Sequence, residues 1–129
     1  MNKLVNPKAV HAPLGAYTHS IKVPRDAEWL VVAGQVGMNA KGQVLDGIRK
    51  QAEQAFRNIL ACLKECGMRK KDLVKFNVYL TDSRHIEPYR AARKKVIGDA
   101  TQPASTLLVI DGLASPDLLI EVEAWAAKA

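Results

Sequence analysis

The chain has 129 residues, of which 48% are apolar, and its 19 lysines and arginines outnumber its 13 aspartates and glutamates to give a formal net charge of +6. This length is typical of one globular domain, so we predict a single domain over residues 1–129. No apolar run approaches the roughly 18 residues of a membrane helix, and the N-terminus has no signal-peptide pattern, which argues against a membrane protein and predicts a cytoplasmic one.

The net positive charge raises the question of nucleic-acid binding. The basic residues are scattered, however, and their densest runs are Arg69–Lys71 at a turn and Arg90–Lys95 on a helix. Charge distributed in this way favours a solvated surface. We therefore do not expect nucleic acid as a partner.

Two cysteines, Cys62 and Cys66, fall on one face of a helical segment. Their spacing favours buried thiols over a disulfide. Because no histidine or further cysteine lies near them in the sequence, they do not form a metal site, and we expect neither a metal nor a cofactor.

The first part of the chain predicts short extended pieces. Residues 1–15 contain turn signals, and residues 17–23 alternate as in a strand. Trp29–Val32 is an apolar run that predicts a buried strand. It is followed by Ala33–Gln35, where Gly34 indicates that the backbone approaches another group closely.

A long amphipathic helix is predicted next, with Asp46 as its N-terminal cap and Gly67 as its C-terminal cap. The evidence is a set of apolar residues that recur at spacings of three and four: Ile48, Ala52, Ala55, Phe56, Ile59, Leu60 and Leu63. A helix of this kind, about five turns long, must bury its apolar stripe against a sheet.

The segment Asp72–Asp82 predicts the central strand of that sheet. One face carries Val74, Phe76, Val78 and Leu80, and the other carries Lys75, Asn77, Tyr79 and Thr81. Because Asn77 and Tyr79 are suited to line a second interface, we expect this strand near the middle of the sheet rather than at its edge.

A second helix is predicted over Glu87–Val96, opened by Asp82 or Ser83 and stopped by Gly98. Two further strands follow, at Leu107–Ile110 and Leu118–Trp125. This order of elements predicts an α+β fold, in which a mixed sheet carries both helices on one face.

Few residues suggest catalysis directly. The sequence has no nucleotide-binding loop, zinc spacing or nucleophile elbow. Polar groups do occur at strand ends: the Tyr17 phenol, the Ser105 and Thr106 hydroxyls, and the Glu121 carboxylate. A structural interpretation instead places Glu121 and Glu123 on the solvent side of an edge strand.

The two tryptophans, Trp29 and Trp125, are interpreted as aromatic residues of the core or of a subunit interface.

An ordered set of short motifs resembles the YjgF/RidA family and covers almost the whole chain. No single motif is specific, but their order is. The motifs are Asn6-Pro7, Pro13-x-Gly15-x-Tyr17, Ala33-Gly34-Gln35, Gln51 with Asn58-Ile59, Val74–Leu80, Pro103–Thr106 and Ile120–Ala124.

The resemblance implies a chorismate-mutase-like α+β fold assembled as a homotrimer, with a central barrel and small-molecule clefts between subunits. Members similar to the best-known branch hydrolyse reactive enamines and imines to a keto acid and ammonia without a metal or cofactor. In this resemblance Glu121 matches the carboxylate that positions or deprotonates water, and Tyr17 matches the tyrosine that orients water or substrate.

The resemblance also indicates ligand-binding positions. Backbone groups near Gly34 and around Ser105 and Thr106 are expected to bind a ligand oxygen, and Asn77 is expected to lie where a partner subunit covers the strand. In the family an arginine follows the Pro-Ala pair and binds the substrate carboxylate, whereas this chain has Ser105. Arg93 is a candidate for the missing cation, with surface charge as the alternative.

Three functions remain open at this stage. The first is an enamine or imine deaminase with an altered substrate. The second is a trimer that binds a small metabolite without catalysis. The third, which the charge pattern supports least, is an RNA-acting protein.

Overall fold

In the computed structural model, which describes residues 1–129, the chain forms six strands and two α-helices. The strands and helices are β1 (Lys3–Val5), β2 (Ser20–Lys22), β3 (Glu28–Val36), α1 (Ile48–Glu65), β4 (Leu73–Leu80), α2 (Ile86–Val96), β5 (Ala104–Val109) and β6 (Ile120–Lys128). Short 3₁₀ turns at Lys70–Asp72 and Ser83–His85 precede β4 and α2. No helix combines the length and the apolarity needed to cross a membrane.

The main sheet has the strand order β3-β6-β4-β5. β4 and β5 are parallel, and the other two pairs are antiparallel, so the sheet is mixed as predicted. β1 and β2 form a separate antiparallel pair. The position of β4 inside the sheet is confirmed.

β6 is also an interior strand, so the interpretation of Glu121 and Glu123 as the solvent side of an edge strand is wrong. Glu121 lies in register with Val36 of β3 on one side and with Tyr79 of β4 on the other. Alternation with apolar residues indicates only that these glutamates avoid the core, and an interior strand has a non-core face as well.

Both helices pack on one face of the sheet, and the hydrophobic core lies between these two layers. α1 contributes a buried stripe that includes Phe56 and Ile59, and β4 contributes Phe76 and Val78. The Phe56 and Phe76 rings pack at a tilt of 61° with their centroids 5.5 Å apart. Burial of an aromatic side chain of this size contributes about 1.5–3 kcal/mol to folding. The α+β architecture predicted from periodicity is confirmed.

The ends of α1 differ in part from expectation. Asp46 does not cap the helix, because the capping position falls one residue later, at Gly47, which has φ 83° and no capping side chain. At the other end Gly67 follows the last turn with φ 69°, the left-handed conformation in which glycine ends helices. The C-terminal prediction is confirmed.

The two thiols are less buried than predicted. Cys66 is exposed and Cys62 is half-buried. Both line an open groove between the end of α1 and β3, where the helix no longer covers the edge of the sheet. Cys62 directly precedes the buried Leu63 and Cys66 follows it by almost one helical turn, which places both thiols at the margin of the core rather than in it.

The buried Gln51 side chain connects α1 to two loops. Its Nε2 donates to the Leu45 and Asp117 carbonyl oxygens at 3.0 and 2.9 Å, and its Oε1 accepts from the Leu119 amide at 2.9 Å. A Cβ placed on Gly37 would lie 2.3 Å from the Gln51 Cβ. The loops that lead into the helix and into β6 are thereby fixed to the same residue.

Neither helix covers the opposite face of the sheet, which we call the bare face. It carries Trp29 and Val31 of β3, with 56% and 65% of their surface exposed, and Leu108 of β5. Trp29 is therefore not part of the core. Its alternative assignment, to a subunit interface, stays a prediction.

Candidate functional site

A cavity of about 470 Å³ opens between α2, the loop before β2 and the start of β5. We call it the helix-side cavity. It brings together three of the residues singled out in the sequence, Tyr17, Arg93 and Ser105. A second cavity, of about 430 Å³ and lined by both chain termini, contains none of the predicted site residues.

Tyr17 is held at the cavity by contacts of its own loop. Its amide donates to the Gly15 carbonyl oxygen at 2.9 Å, and its phenol oxygen accepts from the Leu14 amide at 3.1 Å. The next residue, Thr18, donates its amide to the Pro103 carbonyl oxygen at 3.4 Å. Since Pro103 directly precedes β5, this bond places the tyrosine ring beside that strand.

Arg93 is buried, with only 4% of its surface exposed, so the interpretation of this residue as surface charge is wrong. Its Nη2 donates to the Thr101 carbonyl oxygen at 3.0 Å, and its Cζ lies 6.0 Å from the centroid of the Phe76 ring. The spacing of the basic residues along the helix did not predict this burial. The hydrogen-bond partner of Arg93 is the Thr101 carbonyl, which belongs to the segment after α2 and not to the helix itself.

No carboxylate forms an ion pair with Arg93. The Asp99 carboxylate, which lines the same cavity, lies 3.7 Å from Lys94 instead. Burial lowers the pKa of the Arg93 guanidinium, and the neighbouring Asp99 and Tyr89 act in the opposite direction. A buried guanidinium that is not ion-paired with a carboxylate is energetically costly, which makes the cavity suited to an anionic group.

Ser105 and Tyr89 also contribute polar groups to the lining of the helix-side cavity. Ser105 lies in register with the buried Phe76, so it faces the helices. Burial raises the pKa of the Tyr89 phenol, while the Arg93 charge and the Ser105 hydroxyl lower it. Sequence reasoning missed Tyr89; the available signal was its position one helical turn before Arg93.

The other predicted residues lie on the bare face. Gly34 and Glu121 are in close contact: a Cβ on Gly34 would lie 1.9 Å from Glu121 Oε2. The pairing of β3 with β6 shifts register between Val32 and Gln35, at this same point. The expectation that the backbone at Gly34 approaches another group is therefore confirmed, and the group is the Glu121 carboxylate, which forms none of the ion pairs in the chain.

Asn77 and Thr106 are neighbours in register between β4 and β5. The Lys75 Nζ donates to Thr106 Oγ1 at 2.6 Å, and burial lowers the pKa of this lysine. Beside them the Tyr79 hydroxyl donates to Glu123, and this hydrogen bond raises the pKa of the phenol. The bare face thus carries a polar cluster in addition to its exposed apolar residues.

The predicted site residues consequently fall into two groups on opposite faces of the sheet. Tyr17, Arg93 and Ser105 share the helix-side cavity, and Gly34 and Glu121 share the bare face. Within one chain the two predicted catalytic residues, Tyr17 and Glu121, do not line the same cavity. No group of three or more histidine, cysteine, aspartate or glutamate residues is arranged to hold a metal ion.

The sequence and the fold are similar to a group of known proteins. The RutC family protein of Aquifex aeolicus is 28% identical over 130 residues, which covers 99% of this chain and 100% of the relative. The 2-iminobutanoate/2-iminopropanoate deaminase of Escherichia coli K12 is 26% identical and aligns over 99% of both proteins.

Among solved structures, the Rid-family protein YyfB of Yersinia pestis, whose function is unknown, matches with a TM-score of 0.87 at 25% identity and covers 98% of both chains. RidA from an Antarctic Psychrobacter matches with a TM-score of 0.71 at 26% identity, over 96% of this chain and 98% of that one. A family profile described as Endoribonuclease L-PSP matches residues 8–128. The chain belongs to this family, which unites the YjgF, RidA and RutC proteins.

Proposed function

We propose that the protein is a hydrolytic deaminase of reactive imines or enamines. The observation that carries the proposal is the Glu121 carboxylate, which lies against Gly34 without an ion-pair partner, at the position of the family's site carboxylate. Support also comes from a relative of matching length in Escherichia coli that is named as a 2-iminobutanoate/2-iminopropanoate deaminase.

The chemistry needs only water and proton transfer. Water adds to the carbon of a protonated C=N bond and forms a carbinolamine; a proton then moves to nitrogen, the C–N bond breaks, and ammonia leaves as the carbonyl forms. An enamine enters the same route once its β-carbon is protonated. Glu121 takes the proton from the attacking water and returns it to the leaving amine, and Tyr17 orients the water or the substrate.

The proposal includes assembly into a homotrimer through the bare face. Trp29 and Val31 on one edge strand and Leu108 on the other expose apolar surface there, and exposed apolar surface on a sheet face is typical of subunit interfaces. A partner chain on this face would give Glu121 a second wall. That cleft between chains is where we place the reaction, because Tyr17 and Glu121 do not meet within one chain.

An imine-trapping assay tests the activity. A serine dehydratase generates 2-aminoacrylate and its imine, semicarbazide traps what survives, and the protein is added as wild type or as Glu121→Gln. We expect the wild type to suppress trapping and the variant to lose about 10²–10⁴-fold of that effect, the usual contribution of a general base. Glu28→Gln, which alters an exposed glutamate at the start of β3, is the matched control.

The second candidate is a trimer that binds a metabolite without catalysis, and the observation that favours it is Ser105 at the position of the family's arginine. If the wild type leaves trapping unchanged at high concentration, deamination of 2-imino acids is excluded and this candidate is preferred. An unchanged Glu121→Gln variant beside an active wild type would instead remove Glu121 from the mechanism.

A further inference from the structure

We propose that Arg93 is a carboxylate-binding residue and that the helix-side cavity takes a ligand with one carboxylate and an apolar remainder. This inference rests on the proposed function, because the cavity contains Tyr17 and, in the proposed trimer, would face Glu121 of a neighbouring chain. It assigns anion recognition to α2 on the helix side of the sheet, whereas the family's arginine would stand on β5.

The first argument is the hydrogen-bonding capacity of the buried guanidinium. An arginine has five N–H donors and no acceptor. Arg93 uses one donor group on the Thr101 carbonyl oxygen at 3.0 Å, and no carboxylate pairs with it. Arg93 lines the cavity, so a carboxylate bound there can accept two parallel hydrogen bonds from donors that the Thr101 carbonyl does not use.

The second argument is the charge balance at the cavity mouth. Arg90 and Lys94 also border the cavity, but each already has a carboxylate neighbour. Arg90 Nη1 lies 2.8 Å from Glu87 Oε1, and Lys94 Nζ lies 3.7 Å from Asp99 Oδ2. Arg93 is thus the one cation of the cavity without a carboxylate partner, which favours a ligand with a single negative charge.

The third argument is the size and lining of the cavity. Its volume of about 470 Å³ is in the range of small-molecule sites. Leu14, Ala16 and Leu107 contribute apolar side chains to the same lining. A ligand that fills this space carries a branched or aromatic side chain. The Tyr17 phenol and the Ser105 hydroxyl line the same cavity and can form hydrogen bonds with the C=N or C=O group of such a ligand.

A purely structural role for Arg93 makes a different prediction. If the guanidinium only holds the Thr101 carbonyl and packs on Phe76, its replacement lowers stability and leaves ligand selectivity unchanged. If it binds a carboxylate, replacement removes the preference for an acid over a neutral analogue of the same shape. Selectivity is therefore the measurement that separates the two roles.

The test is isothermal titration calorimetry with stable keto compounds, so that binding is measured without turnover. The probes are 4-methyl-2-oxopentanoate, the neutral ketone 4-methylpentan-2-one with the same branched end, and the dianion 2-oxoglutarate. We expect the wild type to prefer the monoacid to both others. Arg93→Met should weaken monoacid binding about 10- to 100-fold and leave the neutral ketone unaffected, as for loss of a charged hydrogen bond.

Arg84→Met is the matched control, because Arg84 is an exposed arginine paired with Asp82 and does not line the cavity, and this variant should bind the acid as the wild type does. The double variant Arg93→Met with Ser105→Arg moves the cation to the neighbouring strand and should restore acid binding. If Arg93→Met does not fold, Arg93→Lys replaces it. Lysine keeps a donor for the Thr101 carbonyl but cannot form the bidentate hydrogen bonds of a guanidinium with a carboxylate.

Equal binding of the acid by wild type and Arg93→Met, or equal binding of acid and ketone by the wild type, would overturn the inference. Either result leaves the deaminase proposal open, because the trapping assay measures turnover separately. Conversely, a protein that binds the acid through Arg93 but leaves trapping unchanged refutes deamination of 2-aminoacrylate and its imine and keeps this inference.

Discussion

The two faces of the sheet differ in how far they bury their side chains. On the helix side Phe76 packs against Phe56 in a closed apolar core, and the one buried cation there, Arg93, borders a cavity. On the bare face Trp29 and Val31 remain exposed, while Glu121 and the Tyr79–Glu123 pair are half-buried among them. The helix side holds the fold of a single chain together, whereas the bare face leaves apolar surface that no part of the same chain covers.

Removing a core side chain from the helix side should have the largest effect. We predict that Phe76→Ala lowers the free energy of unfolding by about 3–5 kcal/mol, because Phe76 is fully buried and a cavity remains where its ring stood. Urea denaturation followed by circular dichroism measures this loss. Val31→Ala on the bare face is the control, and a loss of similar size there in a monomer would contradict the contrast between the two faces.

A charge on the bare face should disrupt assembly and spare the fold of the chain. We predict that Val31→Asp converts a trimer, three times the 14.1 kDa chain, into monomers with little change in circular dichroism. Multi-angle light scattering gives the mass. A wild type that is already monomeric would exclude the proposed trimer, and a Val31→Asp variant that stays trimeric would move the interface elsewhere.

The contact between Gly34 and Glu121 offers a test within the bare face. We predict that Gly34→Ala displaces the Glu121 carboxylate, since the added Cβ would lie 1.9 Å from its oxygen, and that the strain costs about 1–3 kcal/mol. Activity in the trapping assay should fall with it. Gly112→Ala is the matched control, because a Cβ there meets no atom within 4 Å.

The smallest effect concerns an ion cluster on the helices. The Glu53 carboxylate, which is bonded to Lys95 at 2.8 Å and lies beside Arg49 and Arg57, has its pKa lowered chiefly by the Lys95 hydrogen bond. Its stabilisation is therefore present above the ordinary glutamate pKa of 4.5 and is lost as the pH falls through the lowered value.

We predict that Glu53→Gln removes about 1 kcal/mol at neutral pH and flattens the acid side of the stability profile. Thermal melts between pH 7 and about pH 3 measure the difference between the variants. Profiles that stay parallel over this range would show that Glu53 contributes no pH dependence.

The sequence predicts the layers of this fold better than it predicts the site. The period of the apolar residues located α1 and β4, and the alternation around Asn77 revealed a face that avoids the core. Such patterns report which side a residue faces. They do not report which strand lies beside it, so the interior position of β6 and the contact of Gly34 with Glu121 required the folded chain.

The burial of Arg93 was hidden for a similar reason. Within the run Arg90–Lys95 the residue looks like its charged neighbours, and only the folded segment that carries Thr101 distinguishes it. The sequence also did not predict that Tyr17 and Glu121 line different faces of one chain. A family motif indicates that two residues belong to the same site, but it does not indicate whether both come from the same chain. Local pattern therefore predicted elements, and contacts between distant segments determined the candidate site.

The interior position of β6 limits how much of the sheet can fold during translation. Glu28 pairs with Lys128, and β4 meets the same late strand, so a nascent chain holds β3 and β4 apart until β6 has left the ribosome. Pairings so distant in sequence slow folding, and unpaired strand edges expose the chain to aggregation meanwhile. We therefore expect the complete sheet to form only after β6 has been translated.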